Sequence, residues 1–333
     1  MGKQRACGFD NLKFLLICCV VLGHLIECRP MTPMANYLYR LIYTFHMPAF
    51  LFLSGWFARF DRRKLVFQML YPYLLFQLLY QLFDHCVLAG LPLREFTCRV
   101  STPYWLLWYL FALVFFHLLL PLLDVQGRPR QGVILALAIL ACLAVSADTS
   151  VGYFFSLGRI FTFLPFFLLG FYLGKRKSPM PRPGLGVSAL LTAGLALVLV
   201  YLLPRRLIQL PLRALYGVQQ YEQALFTPGD KALLLLIAGL WLVFFLLVLL
   251  PRIDRPIPVI TTLGRNTLPI FLLHGFVVVY AKHHGLFAGL SMVKCGLVTA
   301  GLVLILGNPL TARVFRWLFS GWWLEKLWDK LKK

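Results

Sequence analysis

FDNLKFLLICCVVLGHLIE, residues Phe9 to Glu27, decides how the rest of the chain is read. Its apolar run from Leu12 to Ile26 is interrupted by polar groups at the two ends only: Asp10, Asn11 and Lys13 at the entry, His24 and Glu27 at the exit. As a helix rising about 1.5 Å per residue, it puts Lys13 and His24 roughly 16 Å apart along the axis. The stretch therefore predicts a membrane-crossing helix with a cation near one face and an ionisable imidazole toward the other. Ionisable groups at such positions are costly and mark function by default.

Composition extends this reading to the whole chain. Of 333 residues, 60% are hydrophobic and 14% charged, against about 25% charged in soluble domains. Mean hydropathy is +0.78. These values predict an all-α, polytopic integral membrane helical bundle. About ten apolar stretches approach the ~20 residues a crossing needs: 11–28, 40–58, 65–89, 103–123, 132–147, 158–174, 185–203, 232–250, 266–282 and 289–309. The first run lacks a small-residue cleavage site, so no cleaved leader is expected.

The net charge of +21 suggests a nucleic-acid binder only until the cations are located. With the N-terminus placed in the cytoplasm and sides alternated across ten crossings, 22 of the 33 basic residues fall on the cytoplasmic side. That bias is the positive-inside rule, and it predicts that both termini are cytoplasmic. Residues 1–312 read as one transmembrane domain. Residues 313–333 read as a basic amphipathic tail, with Trp and Leu on one side and Lys on the other, suited to lie along the inner membrane surface. The longest outer loop, 204–231, carries Arg205, Arg206, Arg213, Tyr216, Tyr221 and Glu222 and is expected to cover a site. Eight cysteines show no CxxC pair; Cys28, Cys86 and Cys98 fall near one face. No histidine pair has acidic partners at metal-site spacing, so no metal is expected.

Several polar residues in apolar surroundings are candidates for chemistry. His24 and Glu27 are one turn apart on one helix face. A neutral imidazole suits general-base work near pH 7. The same spacing suits a histidine tied to a backbone carbonyl, and the residues alone do not separate these readings. His46 falls in the outer half of the second stretch, two residues before Pro48, where freed backbone groups are tolerated beside a cavity. The cluster Arg59, Arg62, Arg63 and Lys64 reads either as a topology signal or as a grip for ligand phosphates. Arg159 and Arg265 open apolar stretches on opposite faces. His274 lies near mid-membrane, and His117 reads as structural.

In chain order these blocks resemble the acyltransferase-3 family of membrane O-acyltransferases, particularly its fucose 4-O-acetylase-like branch. The similarity is carried by Asp10-x-x-Lys13 with His24, by Phe45-His46-Met47-Pro48 running into Phe52-Leu53-Ser54-Gly55, and by Trp108-Tyr109-Leu110. Pro165-Phe166-Phe167-Leu168-Leu169-Gly170, Leu263-Gly264-Arg265-Asn266 and Leu272-Leu273-His274 complete it. The resemblance implies a ten-helix enzyme of a cell membrane, taken as the bacterial cytoplasmic membrane. It would move an acyl group, usually acetyl, from cytoplasmic acyl-CoA to a hydroxyl of a cell-envelope glycan or other surface molecule, with no further cofactor. The essential histidine falls on His24, with His46 and Glu27 as catalytic partners. Acyl-CoA contacts fall on Lys13, Arg59, Arg62, Arg63 and Arg265, and substrate or oxyanion contacts on Arg159, Trp108 and His274. Intramembrane histidines also suit an exporter of a polysaccharide or small solute. The absence of an internal repeat and the scarcity of intramembrane carboxylates weigh against that alternative.

Overall fold

Each apolar stretch must pair its backbone N–H and C=O groups within itself when lipid surrounds it, which leaves the helix as the economical solution. The computed structural model describes residues 7–148, 151, 153–176, 181–221 and 223–331, and among these it contains helices and no strand. Lys3, Arg5, Lys177, Glu222, Lys332 and Lys333 lie outside the described residues.

The main helices are α1 (Cys7–Ile26), α2 (Pro33–Tyr43), α3 (His46–Trp56), α4 (Arg62–Leu88), α5 (Trp108–Leu123), α6 (Arg128–Ala144) and α7 (Leu157–Gly174). They are followed by α8 (Leu185–Leu207), α9 (Pro228–Ile253), α10 (Pro258–Arg265), α11 (Thr267–His283), α12 (Met292–Leu306) and α13 (Trp322–Leu331). Among the described residues, 6 helical stretches are long and apolar enough to cross a membrane, or up to 7 if the bent pair α10 and α11 counts as one.

The other predicted stretches take different forms. Stretch 40–58 is divided at Thr44–Phe45 between α2 and α3. Stretches 132–147 and 289–309 become helices of 17 and 15 residues. Stretch 266–282 is α11, which meets α10 at a 76° bend around Asn266. Local chemistry sets several ends: Thr32 caps α2, and Thr227 with Asp230 forms a reciprocal capping box on α9, satisfying otherwise orphaned N–H groups.

The bundle is built around α1 and the α3–α7 pair. Leu12, Leu16, Ile17, Val21, Leu25 and Ile26 of α1 are fully buried. The helix packs against α10, α11, α12 and the end of α9. The α3–α7 crossing is the most extensive helix contact among the described elements, and glycine makes it possible. A Cβ on Gly55 would fall on the Phe167 carbonyl, and one on Gly170 on the Phe52 carbonyl. Small residues allow this backbone approach where lipid offers no hydrophobic drive for association. By contrast, α8 exposes Leu190, Leu197 and Val200, a peripheral apolar face suited to acyl chains.

The helix ends sort into two sets. The start of α1, the ends of α3, α7 and α9, and the start of α10 meet at one end, where Phe9 packs on Trp56 and Phe57 and Gly8 N–H donates to Asp254. At this end Lys175 pairs with Asp124, and Arg63 reaches Asp329 of α13 at 2.7 Å and Glu325 at 3.4 Å. The tail is thus docked on α4, with Tyr71 Oη donating to the Trp317 carbonyl and Gly321 N–H to the Phe67 carbonyl. At the opposite end are the exit of α1, all of α2 and the starts of α7 and α9, tied by Arg40 to the carbonyls of Leu207 and Leu210, Arg206 to Asp230, and Lys231 to Ser146. All eight cysteines are free thiols, including Cys28, Cys86 and Cys98.

The crossing gives a direct stability prediction. Gly170→Leu overpacks the α3–α7 contact and is expected to cost about 1–3 kcal/mol or more. Gly194→Leu in α8 enters open space, although helix propensity favours both changes equally. Thermal unfolding in detergent should show a lowered midpoint for the first variant and none for the second.

Candidate active site

At the exit of α1 the helices do not close on one another. A cavity of about 310 Å³ lies there, lined by His24 and Glu27, by Tyr43, His46 and Met47, by Trp105 and Trp108, by Tyr153 and Arg159, and by Tyr216. Five sequence candidates, His24, Glu27, His46, Trp108 and Arg159, therefore come together from α1, α3, α5 and α7.

Glu27 is the organising charge. Its Oε1 accepts from Tyr39 Oη at 2.6 Å and from Tyr43 Oη at 2.8 Å. Tyr39 Oη also lies 2.6 Å from Tyr216 Oη, so with Tyr39 donating to the carboxylate, Tyr216 is the donor to Tyr39. Tyr39 and Tyr43 stack at 4.2 Å, and their spacing of four puts both hydroxyls on one face of α2.

His24, half-buried, stands apart from the buried histidines. His46, His117 and His274 each place Nδ1 at 2.8 Å from the carbonyl one turn earlier, on Ile42, Leu113 and Ile270. A carbonyl only accepts, so Nδ1 carries the proton in all three and Nε2 is the lone-pair atom of the neutral ring. His24 has no such tie. Its Nδ1 is buried without a hydrogen bond, with Glu27 Oε1 3.5 Å away, longer than the usual N–H···O range. The ring rests edge-on against Trp105 at 4.5 Å and stacks with His274 at 5.6 Å.

Arg159, near the start of α7, is held by ring faces instead of an acid. Its guanidinium carbon is 5.2 Å from the Trp108 ring centre and 5.2 Å from that of Tyr153. Among the described residues no carboxylate lies within ion-pair reach of it. Delocalised arginine tolerates such stacking better than lysine would. Backbone strain borders the same space: Trp105, Phe155 and Ser156 have φ of 29°, 44° and 53°. Left-handed values at bulky residues persist only where surrounding structure enforces them.

The remaining candidates are elsewhere. His274 is fully buried behind His24 and does not line the cavity; its Nε2 has no partner. Lys13 and Arg265 are at the opposite end of the bundle, sharing the buried carboxylate of Asp10 at 2.7 and 3.1 Å. Arg59 and Arg62 are exposed there, and Arg63 is engaged by α13. His85 Nε2 lies 3.0 Å from the Pro92 carbonyl.

Tyr43, Tyr153, Tyr216 and Trp105 are cavity residues that sequence reasoning missed, as it missed Tyr39, which braces Glu27 from behind. The i, i+4 tyrosines just before His46 were a readable signal. Tyr216 was visible only as part of the 204–231 loop, of which Leu215 and Tyr216 reach the cavity.

The hydroxyl brace is testable through stability. A hydrogen bond to a charged acceptor is worth about 1.5–3 kcal/mol. Tyr43→Phe is expected to lower unfolding stability by about that amount, and Tyr39→Phe, which also releases Tyr216, by at least as much. Denaturation in detergent checks both.

A family model described as an acyltransferase domain matches residues 8–324 of the chain. No curated protein and no solved structure matches it.

Proposed function

The chain belongs to the acyltransferase-3 family of membrane acyltransferases, and from that premise we propose that it is an O-acyltransferase of the fucose 4-O-acetylase-like kind. It takes an acetyl group from acyl-CoA on the cytoplasmic side and transfers it to a hydroxyl of a cell-envelope glycan or other surface molecule. The observation that carries this reading is the imidazole of His24, half-buried and not tied to its own backbone as His46, His117 and His274 are, facing Glu27 in the cavity.

In this reading α1 enters from the cytoplasm, as the bias of 22 basic residues out of 33 supports. Ten crossings follow when α2 with α3 and α10 with α11 count as broken crossings and α6 and α12 as short ones. Both termini are then cytoplasmic, in a bacterial cytoplasmic membrane. Irregular backbone at membrane depth is tolerated where it lines a protein cavity. The acyl-CoA phosphates dock on Lys13, Arg59, Arg62 and Arg265. Arg63 joins them when the α13 carboxylates release it.

The chemistry uses the tautomer that Glu27 favours. A carboxylate beside Nδ1 keeps the proton there and leaves His24 Nε2 as the base. Nε2 takes the acceptor's hydroxyl proton, the oxygen attacks the thioester carbonyl carbon, the C–S bond breaks, and the thiolate leaves and recovers the proton. Passage of the acyl group through His24 itself splits the same change into two steps. The neutral His46 ring has no proton on Nε2, so Arg159 is the stronger donor to the developing oxyanion. Trp108 holds that guanidinium in place, and His274 backs the His24 ring.

With purified protein, acetyl-CoA and a panel of glycan acceptors, acceptor-dependent CoA release is expected. Loss of general-base help lowers rates about 10²–10⁴-fold, and His24→Ala should fall in that range; full activity in the variant sinks the assignment. An exporter would move its substrate without releasing CoA. Arg59→Ala with Arg62→Ala should raise the KM for acetyl-CoA about tenfold, a loss of about 1.4 kcal/mol in donor binding, with little change in kcat.

A further inference from the structure

A second, larger hollow adjoins the reaction cavity on the same end of the bundle. It measures about 480 Å³ and lies between the last turns of α4 and the chain from Phe96 to Trp105. Thr102, Pro103 and Trp105 belong to the walls of both spaces, so the groove lies directly beside the cavity that holds His24. None of the catalytic or donor-binding candidates lines it.

The groove wall is an irregular segment held rigid by two glutamines of α4. Gln77, 2% exposed, donates through Nε2 to the carbonyls of Arg99 and Thr102 at 2.9 and 3.0 Å and accepts from Tyr104 N–H at 2.7 Å. Gln81 donates to the Arg99 carbonyl at 3.0 Å and accepts from the Arg99 N–H at 2.7 Å. Apart from a contact of Gln81 Nε2 with Cys98 Sγ, both amides bond to backbone groups, and the Thr97 and Arg99 side chains are exposed. The segment ends at Trp105, whose strained backbone sets its ring against His24. Such fixing lowers the ordering cost of binding.

The lining combines rings with hydrogen-bonding groups of both kinds. Phe96 and Trp105 offer faces; Thr97 and Arg99 donate; Asp84 accepts. Saccharides present apolar C–H faces and many hydroxyls that both donate and accept, and they match this lining. Acyl chains would strand the charges of Asp84 and Arg99. The opposed charges of those two residues also favour a chain of no strong net charge. The volume falls within the roughly 300–1,000 Å³ of ligand pockets.

We propose that this groove binds an acceptor oligosaccharide, holding the sugar units next to the one whose hydroxyl enters the His24 cavity. Acceptor choice is then read by the 96–105 segment as well as by Tyr216 of the 204–231 loop. The assignment of the reacting hydroxyl rests on the acyl-transfer reading; binding in the groove does not.

The test is calorimetric titration of the full chain in detergent with chitotetraose and with maltotetraose, each against its monosaccharide. At least one tetrasaccharide is expected to bind tenfold or more tightly than its monosaccharide. Thr97→Trp, which fills the groove from an exposed position, should abolish that gain and leave acetyl-CoA binding unchanged. Arg99→Gln keeps the backbone bonds and should reduce the gain, which reads the groove independently should Thr97→Trp fail to fold. Equal affinities for tetrasaccharide and monosaccharide in both sugars, or a gain untouched by Thr97→Trp and Arg99→Gln, overturn the proposal. A retained gain with no CoA release toward any acceptor sinks the acyl-transfer reading instead and leaves the groove standing.

Discussion

The structure depends on keeping charge at both ends of a helix whose apolar length is mostly buried. Asp10 opens α1 at 1% exposure, and it is tolerable there because Lys13 from its own helix and Arg265 from α10 share its oxygens. Asn11 beside it donates to the carbonyls of Ile253 and Arg255 and accepts from Thr261. Glu27 closes the helix with two tyrosine hydroxyls from α2. A buried charge without partners costs several kcal/mol. The partners therefore determine which helices lie against α1, and with them where the cavity opens.

This arrangement separates two chemistries along one axis. The Asp10 end gathers exposed cations and the docked tail. The Glu27 end gathers histidine, stacked arginine and tyrosine around a cavity. Between them α1 is apolar from Phe14 to Val21, apart from its thiols. The α3–α7 crossing gives the second fixed reference: backbone meets backbone at Gly55 and Gly170, which sets how the helices that carry His46 and Arg159 lie against each other. His24, His46, Trp108 and Arg159 are thus carried by helices, while Trp105, Tyr153 and Tyr216 complete the lining from irregular segments.

Much of this was legible without coordinates. The apolar runs announced helices, because composition and length alone decide that in lipid. His24 and Glu27 at i, i+3 announced a shared face, and the contact is made. His46, Arg159 and Trp108 line the same cavity as these two. The division of stretch 40–58 at Thr44–Phe45 was not legible, because hydropathy does not report a backbone break. Nor was the role of His274, which reads like His24 in sequence yet is tied to Ile270 and shut away from the cavity. Arg63 looked equivalent to Arg59 and Arg62 until the tail carboxylates were found on it.

What the amino-acid sequence determined by itself was the class of molecule, the helical stretches and the polar residues that lipid would penalise, since these follow from local composition and periodicity. What only the tertiary structure decided was which of those residues share a space. Tyr39, Tyr43 and Tyr216 reach one carboxylate from separate segments, and two glutamines of α4 freeze a loop beside the cavity. Those outcomes are set by packing across tens to hundreds of residues of chain, where each buried polar group takes the partner the fold brings within reach.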